Sequence, residues 1–269
     1  MSWASLSGAN APVVRESAAE SERFGLAITR LDVADGVDPV AGLEQVSRAI
    51  QDDLADVIVL RYPARHVGWF AALHASGRDL LHADTLGYWA LRVGDGRQPP
   101  THPETVVHLE PILHPRKIDE FMSAVFRDYN NHYAANPLFD RTLALAGYRE
   151  WARRSASAGG TVAVTADGTA GSDLTALATT TSHPATADSA AHTEIELAGV
   201  LPGHQRRGLY ATLLSGCEQL ATTAGSSLVT ISTQTHNTSV QRAWTRYGFE
   251  PVTTFTTVHV LRPGLLRRS

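Results

Sequence analysis

The sequence predicts an α/β fold with a mixed central sheet flanked by helices, and three observations support this fold class. Short runs rich in Val, Ile and Thr alternate with longer segments of helical periodicity. One such run, residues 193–201, leads through a polar loop containing Gly208 into the helix-like segment 212–220. The chain of 269 residues has no apolar run long enough to span a bilayer. This length suits one large domain or two smaller ones.

The first part of the chain predicts a smaller N-terminal α/β subdomain over residues 23–93. Its strands are expected at residues 24–33, 56–62 and 80–93, and its helices at 43–54 and 64–76. Residues 1–22 are rich in Ala, Ser and Glu, and we expect them to be flexible. Residues 94–104 contain Gly, Pro and polar residues and are expected to form a linker.

Residues 105–269 are expected to form the larger domain. Its elements follow in the order strand, helix, polar insert, helix, three strands, helix, strand, helix and strand. They are expected at residues 106–113, 116–130, 129–139, 141–155, 161–165, 173–182, 193–201, 212–220, 226–234, 237–249 and 251–261. A turn at 166–168 is predicted to join the first two of the three strands as a hairpin.

The loop before the helix at 212–220 has the character of an anion site. The first turn of a helix carries unpaired N–H groups and a partial positive charge, and Gly208 allows a tight entry into it. Arg206 and Arg207 add positive charge beside these donors. The loop lacks the Gly-Lys-Ser/Thr ending of a Walker A motif, and its single glycine at the turn excludes a dinucleotide-binding fingerprint.

Two motifs in this region resemble those of the GNAT superfamily, the acyl-CoA-dependent N-acetyltransferases. The first is Gln-x-x-Gly-x-x-Ala at 205–211, where Tyr210 occupies the position that is usually Gly or Ala. The second is the stretch from Asn237 to Phe249, which is similar to the family pattern Asn-x-x-Ala-x-x-x-Tyr-x-x-x-Gly-Phe. Their order and spacing, with a buried strand between them, imply the C-terminal half of a GNAT fold.

The resemblance implies that acetyl-CoA, or another acyl-CoA, is bound. The strand before the loop is expected to pair with the pantetheine arm, and the loop amides to hold the diphosphate. The implied coenzyme-binding residues are Leu197, Gly199, Val200, Gln205, Arg206, Arg207, Gly208, Leu209, Tyr210, Ala211, Asn237 and Trp244. No second copy of the loop motif occurs, so a single coenzyme site is expected.

Acetyl transfer to an amine requires a base, because only the neutral amine attacks the thioester. Glu194 and Glu196 are two residues apart on one predicted strand and are expected to share a face. The resemblance favours Glu194 as the base, because several relatives carry a catalytic glutamate at this position. Glu196 and His192 are its alternatives, and the carboxylates could instead be solvated or paired with cations.

The acid that protonates the leaving thiolate is where the sequence departs from the family pattern. The usual tyrosine falls seven residues after Asn237, and that position is Trp244. An indole N–H donates a hydrogen bond but does not release a proton near neutral pH. Tyr247 or Tyr210 could supply the proton, and Tyr247 could instead pack beside Phe249. Water could also protonate the thiolate.

The polar and aromatic insert at 129–139 is the expected acceptor pocket. Together with residues 83–86 and the segment Gly-Tyr-x-Glu-Trp at 147–151, it resembles the dTDP-fucosamine branch, which acetylates an amine on a nucleotide-linked sugar. The candidate substrate-binding residues are Tyr129, His132, Tyr133 and Asn136. The alternatives are a helix–helix connection with Asn and Pro as turn formers, and an N-terminal unit that only supports the larger domain.

The composition of the chain argues against several classes of partner and of site. The net charge of −4 argues against nucleic-acid and anionic-membrane partners, and the absence of a signal pattern predicts a cytoplasmic enzyme. The single cysteine, Cys217, excludes an internal disulfide and is expected to pack in the core. The twelve histidines show no ligand spacing, so no metal site is expected.

The leading hypothesis is therefore an N-acyltransferase, most simply an N-acetyltransferase, that acts on a small polar amine such as an amino sugar or a biosynthetic intermediate. The alternative is a catalytically degenerate member that binds acyl-CoA as a sensor or partner module. A third hypothesis is that the acyl donor is an acyl carrier protein in place of coenzyme A. Arg206 and Arg207 could then bind its phosphopantetheine phosphate or an acidic helix of the carrier protein. A homodimer through the C-terminal strand or the N-terminal unit is compatible with the sequence.

Overall fold

The computed structural model describes residue 3 and residues 11–100, 105–158, 160–166, 174–186 and 189–268. The strands in these residues are β1 (Val13–Glu16), β2 (Ile28–Asp32), β3 (Val57–Pro63), β4 (Asp79–Arg92), β5 (Val106–Leu109), β6 (Thr161–Thr165), β7 (Leu174–His183), β8 (His192–Val200), β9 (Leu228–Gln234) and β10 (Glu250–Leu261). The helices are α1 (Ala18–Phe24), α2 (Pro39–Asp52), α3 (Trp69–Leu73), α4 (Pro115–Phe126), α5 (Arg141–Ser157), α6 (Leu209–Thr223) and α7 (Thr238–Tyr247). The predicted class, a mixed sheet flanked by helices, is confirmed.

Some sequence-based expectations concern residues beyond this description. Most of the first ten residues, residues 101–104 of the predicted linker and residues 167–168 of the predicted turn lie outside the described part of the chain. Residues 13–24, by contrast, form a strand and a helix where the sequence predicted a flexible segment and the start of a strand. None of the described helices is both long enough and apolar enough to cross a membrane.

The chain forms two compact units. The first comprises Met1–Gly87, Asn130–Ala144 and Thr253–Ser269, and the second comprises Tyr88–Tyr129 and Leu145–Val252. Three separate stretches of chain therefore build the first unit. Residues 130–144 lie between two helices of the second unit in sequence, but they group with the first because their side chains pack there.

In the first unit, β1, β2, β3 and β10 lie side by side in that order. β1 runs antiparallel to β2, and β10 runs antiparallel to β3. β2 and β3 are parallel, because α2 returns the chain between them. Their pairing runs without interruption from Ile28↔Val57 to Asp32↔Arg61.

The helix α2 of the first unit has a closed N-terminus. It begins at Pro39, and the carboxylate of Asp38 accepts hydrogen bonds from the backbone N–H groups of Val40 and Ala41. Proline has no N–H to satisfy, and an aspartate cap neutralises two of the remaining donors. The free donors of this helix end are therefore already used within the chain.

In the second unit, the strand order is β9-β8-β7-β6-β5, and only β8 and β9 are parallel. α6 packs on one face of this sheet through an apolar cluster. That cluster includes Leu213, Leu214, Cys217, Val162 and Val229. α4 and α5 pack through a second cluster, which includes Phe121, Met122, Ala152, Leu177 and Leu197.

Cys217 lies fully buried in the cluster beneath α6. Burial raises the pKa of its thiol to about 12, so the thiolate is not formed at neutral pH. The side chain therefore packs as a small apolar group.

Candidate functional site

The parallel strands β8 and β9 of the second unit separate partway along their length. They pair from His192↔Leu228 to Ile195↔Ile231, and no pair forms between them beyond that point, although both strands are described to their ends. β8 continues to Val200 and β9 to Gln234. The backbone of β8 after Ile195 therefore has an unpaired edge facing this opening.

A bulge in β8 coincides with the start of the opening. Thr180 pairs with Ile195 and Thr179 pairs with Leu197, so Glu196 is an extra residue on β8. A bulge bends a strand and increases its local twist. This bend turns β8 away from β9 while β8 keeps its pairing with β7 as far as Val200.

The loop after β8 presents free backbone donors. Arg206 and Gly208 both have positive φ, at 63° and 81°, and no side chain caps α6. Among the described residues, no acceptor faces the N–H groups of residues 206–210, and only from Ala211 onward do the N–H groups bond within the helix. The side chain of Gln205 ties the loop to β8 by donating to the carbonyl of Val200 at 3.3 Å.

The loop carries positive charge on side chains that are exposed to solvent. The side chains of Arg206 and Arg207 are exposed, whereas Leu209 is buried and anchors the start of α6. Backbone donors at an uncapped helix start, flanked by two guanidinium groups, form an environment suited to a diphosphate.

The side chains of the predicted strand residues Leu197 and Val200 serve packing. Leu197 and Val200 are buried in the two apolar clusters of the unit. A Cβ added at Gly199 would lie 2.5 Å from Cγ1 of Val125, so this glycine permits the close packing of α4 on β8. The polar groups that β8 can offer toward the opening are therefore its N–H and C=O groups.

Tyr210 and Trp244 form a hydrogen-bonded pair between α6 and α7. The indole N–H of Trp244 donates to the hydroxyl oxygen of Tyr210 at 3.0 Å. Trp244 is 1% exposed, and it packs against Trp89 in a T-shaped contact with ring centroids 5.9 Å apart. Burial raises the pKa of Tyr210 above its ordinary value, and the bond from Trp244 partly opposes that rise. Trp244 thus fixes the hydroxyl of the tyrosine that replaces the usual small residue of the loop motif.

Tyr247, the other predicted proton donor, is held in the core. Its hydroxyl donates to the carboxylate of Glu218 at 2.6 Å, and Glu218 also accepts the N–H groups of Gly94 and Gly96 at 2.7 and 3.1 Å. Burial, strengthened by Glu218, raises the pKa of Tyr247. Its ring also contacts Phe249, with centroids 6.0 Å apart. Tyr247 therefore packs in the core, and its hydroxyl group is already hydrogen-bonded to Glu218.

The two candidate bases share one face of β8. Ile195 packs with the α6 cluster, so Glu194 before it points to the opposite face, which α4 and α5 cover. Glu196 accepts a hydrogen bond from Ser155 of α5 and so lies on that same face. Glu194 is 6% exposed. Its carboxylate oxygen Oε2 lies 3.9 Å from Nε2 of His183 on β7.

Tyr129 lies at the end of β9, on the second unit. Its hydroxyl is 3.1 Å from Oγ1 of Thr233 and donates to the side chain of Gln234. Asn237, which precedes α7, donates from Nδ2 to the same Thr233 oxygen at 3.1 Å. These two predicted site residues therefore meet at the open end of the parallel pair.

The other three predicted acceptor-binding residues lie in the first unit. Nδ1 of His132 is 3.0 Å from Nε2 of His259, and Nδ2 of Asn136 is 3.2 Å from Nδ1 of His259. Tyr133 donates to Glu20, which also pairs with Arg30. Asn136 is 1% exposed and His132 is 7% exposed, so their polar groups serve a buried network.

The sequence analysis did not single out Glu218, His183 or Ser155. A glutamate among apolar residues of the predicted helix was a signal for Glu218, since a buried carboxylate needs donors. No local sequence pattern marks His183 or Ser155. His183 meets Glu194 across the strand pair β7/β8, and Ser155 meets Glu196 from the separate helix α5. Among the described residues, no group of three His, Cys, Asp or Glu side chains is placed to hold a metal ion.

Comparison with known proteins supports the interpretation of the C-terminal half of the chain. Residues 119–249 match the model of the Acetyltransferase (GNAT) family. Among proteins of curated function, none gives a significant sequence match.

Several solved structures share the fold at low sequence identity. A GCN5-related N-acetyltransferase from Kribbella flavida superposes with a TM-score of 0.54 at 19% identity, covering 89% of this chain and 84% of that chain. One from Sphaerobacter thermophilus gives 0.58 at 13%, covering 94% and 78%. A tandem GNAT protein from the clavulanic acid biosynthesis pathway gives 0.57 at 12%, covering 94% and 84%. The chain thus has the GNAT acetyltransferase fold, and residues 119–249 carry the domain that the family model describes.

Proposed function

We propose that this protein is an acyl-CoA-dependent N-acyltransferase that moves an acetyl group to the amine of a small polar acceptor, such as an amino sugar or a biosynthetic intermediate. The observation that carries the proposal is the uncapped start of α6, with Gly208 and Arg206 in the left-handed region, beside the open edge of β8. Loop N–H groups and the two arginines suit a diphosphate. The unpaired edge of β8 suits the amide groups of a pantetheine arm.

Acetyl-CoA supplies the acyl group as a thioester, and the side chains around β8 manage the protons. Glu194 takes a proton from the acceptor ammonium, directly or through a water molecule, so that the neutral amine attacks the carbonyl carbon. Glu196 accepts a hydrogen bond from Ser155 of α5, and we propose that it holds the site and does not act as the base. N–H groups on the open edge of β8 stabilise the negative charge that develops on the carbonyl oxygen.

Tyr210 is the proposed proton donor to the leaving sulfur. Its oxygen accepts the N–H of Trp244, so its own hydrogen is directed elsewhere, and the same bond stabilises the phenolate that remains after donation. Trp244 therefore occupies the position at which the family pattern has its acid, the tyrosine, and in this chain it orients Tyr210 instead. Tyr247 is not part of the proposal, because its hydroxyl is committed to Glu218.

The function is tested by measuring acetyl-CoA binding by calorimetry and free-thiol release across a panel of amines, including amino sugars free and nucleotide-linked. Binding together with turnover on at least one amine is expected. Turnover on a nucleotide-linked amino sugar would support the finer likeness to the fucosamine branch. Absence of acetyl-CoA binding would refute the proposal.

The acid is tested with a matched pair of tyrosine variants. Tyr210→Phe is expected to lower kcat by about 10- to 100-fold, because it removes a general acid, while acetyl-CoA affinity is kept. Tyr247→Phe removes the same atom from the core, and it is expected to lower stability by about 1–3 kcal/mol without lowering kcat. The reverse pattern in the two variants would assign the acid to Tyr247.

The second candidate function is an acyl-CoA sensor without catalysis, and Trp244 at the acid position favours it. In that case acetyl-CoA binds and no amine is turned over. An acyl carrier protein as donor is a further variant, supported by the exposed Arg206 and Arg207. It predicts turnover with an acylated carrier protein and little with acetyl-CoA, and the same thiol-release assay separates the two donors.

A further inference from the structure

The base Glu194 has a histidine neighbour across the strand pair β7/β8. His183 and His192 are directly opposite each other in the register, and their rings stack with centroids 4.7 Å apart. Nε2 of His183 lies 3.9 Å from Oε2 of Glu194, a gap that a small rotation or a single water molecule closes. Among the described residues, Nε2 of His183 has no hydrogen-bond partner.

The orientation of His183 is fixed by its neighbour. Nδ1 of His192 lies 3.1 Å from the carbonyl oxygen of Ala190, so that nitrogen carries the proton and the ring of His192 is held in place. The stacked ring of His183 is thereby held with one edge toward Glu194. His192 itself is 1% exposed and has no path to solvent of its own.

Exposure differs along this set of side chains. The side chain of Glu194 is 8% exposed, whereas that of His183 is 25% exposed. A proton taken up by the carboxylate therefore has a neighbouring base whose ring is partly exposed, although its Nε2 atom is itself buried. Burial and the adjacent His192 lower the pKa of His183, and Glu196 opposes them, so that its ring is neutral at neutral pH with a lone pair free to accept a proton.

We propose that His183 is a proton relay, which takes from Glu194 the proton removed from the acceptor ammonium and releases it to solvent. The inference rests on the proposed N-acyltransferase function. One N–H bond of the ammonium breaks and an O–H bond forms on Glu194. That O–H bond then breaks as an N–H bond forms on Nε2 of His183. Because Nε2 is buried, the imidazolium loses its other ring proton, the one on Nδ1, to water, and return of the remaining proton from Nε2 to Nδ1 by tautomeric exchange restores both groups for the next turnover.

The test uses the full chain with saturating acetyl-CoA and the best amine of the panel. His183→Gln and His183→Asn are expected to lower kcat by at least about 10-fold, with acetyl-CoA affinity and melting temperature close to wild type. The acid limb of the pH profile of kcat/KM, which reports protonation of the essential base in the free enzyme, should change shape in both variants. His82→Gln, on an exposed histidine of the first unit, is the matched control and should leave all these values unchanged.

Chemical rescue separates a relay from a packing role. Imidazole added to His183→Ala is expected to restore part of kcat in proportion to the neutral imidazole concentration, and it should not affect His82→Ala. An unchanged kcat and pH profile in His183→Gln would overturn the relay while leaving the transferase function standing. A wild-type protein that binds acetyl-CoA but turns over no amine would overturn both.

Discussion

The two units contain the same succession of elements, an antiparallel strand pair followed by a helix and a parallel strand. Within the described residues, the parallel strands separate and the helix start is uncapped in the second unit and not in the first. In the first unit, β2 stays paired with β3 to its own end at Asp32, and Asp38 caps α2. In the second, β8 leaves β9 at a bulge and α6 begins at an uncapped Gly208. The comparison teaches that a candidate ligand site on this topology depends on two local departures from ideal structure, an interrupted ladder and an unsatisfied helix end.

The largest expected effect comes from closing the open helix end. Gly208→Asp places a carboxylate beside the N–H groups of α6, as Asp38 does for α2, and adds negative charge where the diphosphate is proposed to lie. We expect the Kd for acetyl-CoA, measured by calorimetry, to rise by about 100-fold or more, which corresponds to roughly 2.7 kcal/mol.

The control for this variant is Gly77→Asp in the first unit. Gly77 also has positive φ, at 72°, with open space around it, so the substitution imposes a similar backbone cost and the same charge. Its acetyl-CoA affinity should equal that of the wild type. Equal loss of affinity in both variants would mean that strain or net charge, and not the helix end, controls binding.

Acid should unfold the first unit before the second. Burial and the charges of Arg30 and Arg61 lower the pKa of His259 to about 3, and burial lowers the pKa of His132 well below its ordinary value. The unfolded chain binds these protons more readily, so stability present above pH 6.5 falls as the pH drops toward 3. Glu20, whose pKa is held at about 2, adds to the loss below pH 4.5: burial opposes its ionisation, but Arg30 outweighs burial.

Hydrogen exchange at peptide resolution, between pH 7 and pH 4, measures this difference. Strands β2, β3 and β10 are expected to lose protection earlier than β7 and β8. His259→Gln, which removes one titrating ring, should flatten the pH dependence of the first unit. Simultaneous loss of protection in both units, with an unchanged slope in the variant, would contradict the role given to the buried histidines.

The smallest effect is expected from opening the closed helix. Asp38→Ala removes the cap of α2, and we expect a loss of about 1 kcal/mol in stability from denaturant unfolding. Acetyl-CoA stoichiometry should stay at one per chain, because β2 and β3 remain paired and offer no free edge. A second binding event in this variant would show that the cap alone keeps the first unit closed.

The sequence predicted much of the second unit because its signals are local. Hydrophobic periodicity placed the strand ending near Val200 and the helix near 212–220, and Gly208 marked the turn between them. The residues of both motifs are neighbours in the chain or one helical turn apart, so their spacing carries their geometry. The hydrogen bond between Trp244 and Tyr210 was less accessible to sequence reasoning, because the two side chains come from different helices.

The expected acceptor pocket shows the limit of this reasoning. An insert rich in Asn, His and Tyr has the composition of a binding site, and it has equally the composition of a buried polar network. His132 and Asn136 bond to His259, which is more than a hundred residues away in sequence. No local pattern records a partner at that separation.

The sequence by itself determined the order of strands and helices, the glycine-led loop and its two arginines, and the replacement of the usual tyrosine by Trp244. These features follow from backbone preferences and side-chain chemistry within a few residues. The tertiary structure alone decided the grouping of residues 130–144 and 253–269 with the first unit, the opening of β8 from β9 at Glu196, and the meeting of Glu194 with His183. Each of these depends on strand register and on packing between segments distant in the chain. Removing apolar surface from water is favourable whatever the sequence separation of the residues that come into contact, so a local pattern does not record these contacts.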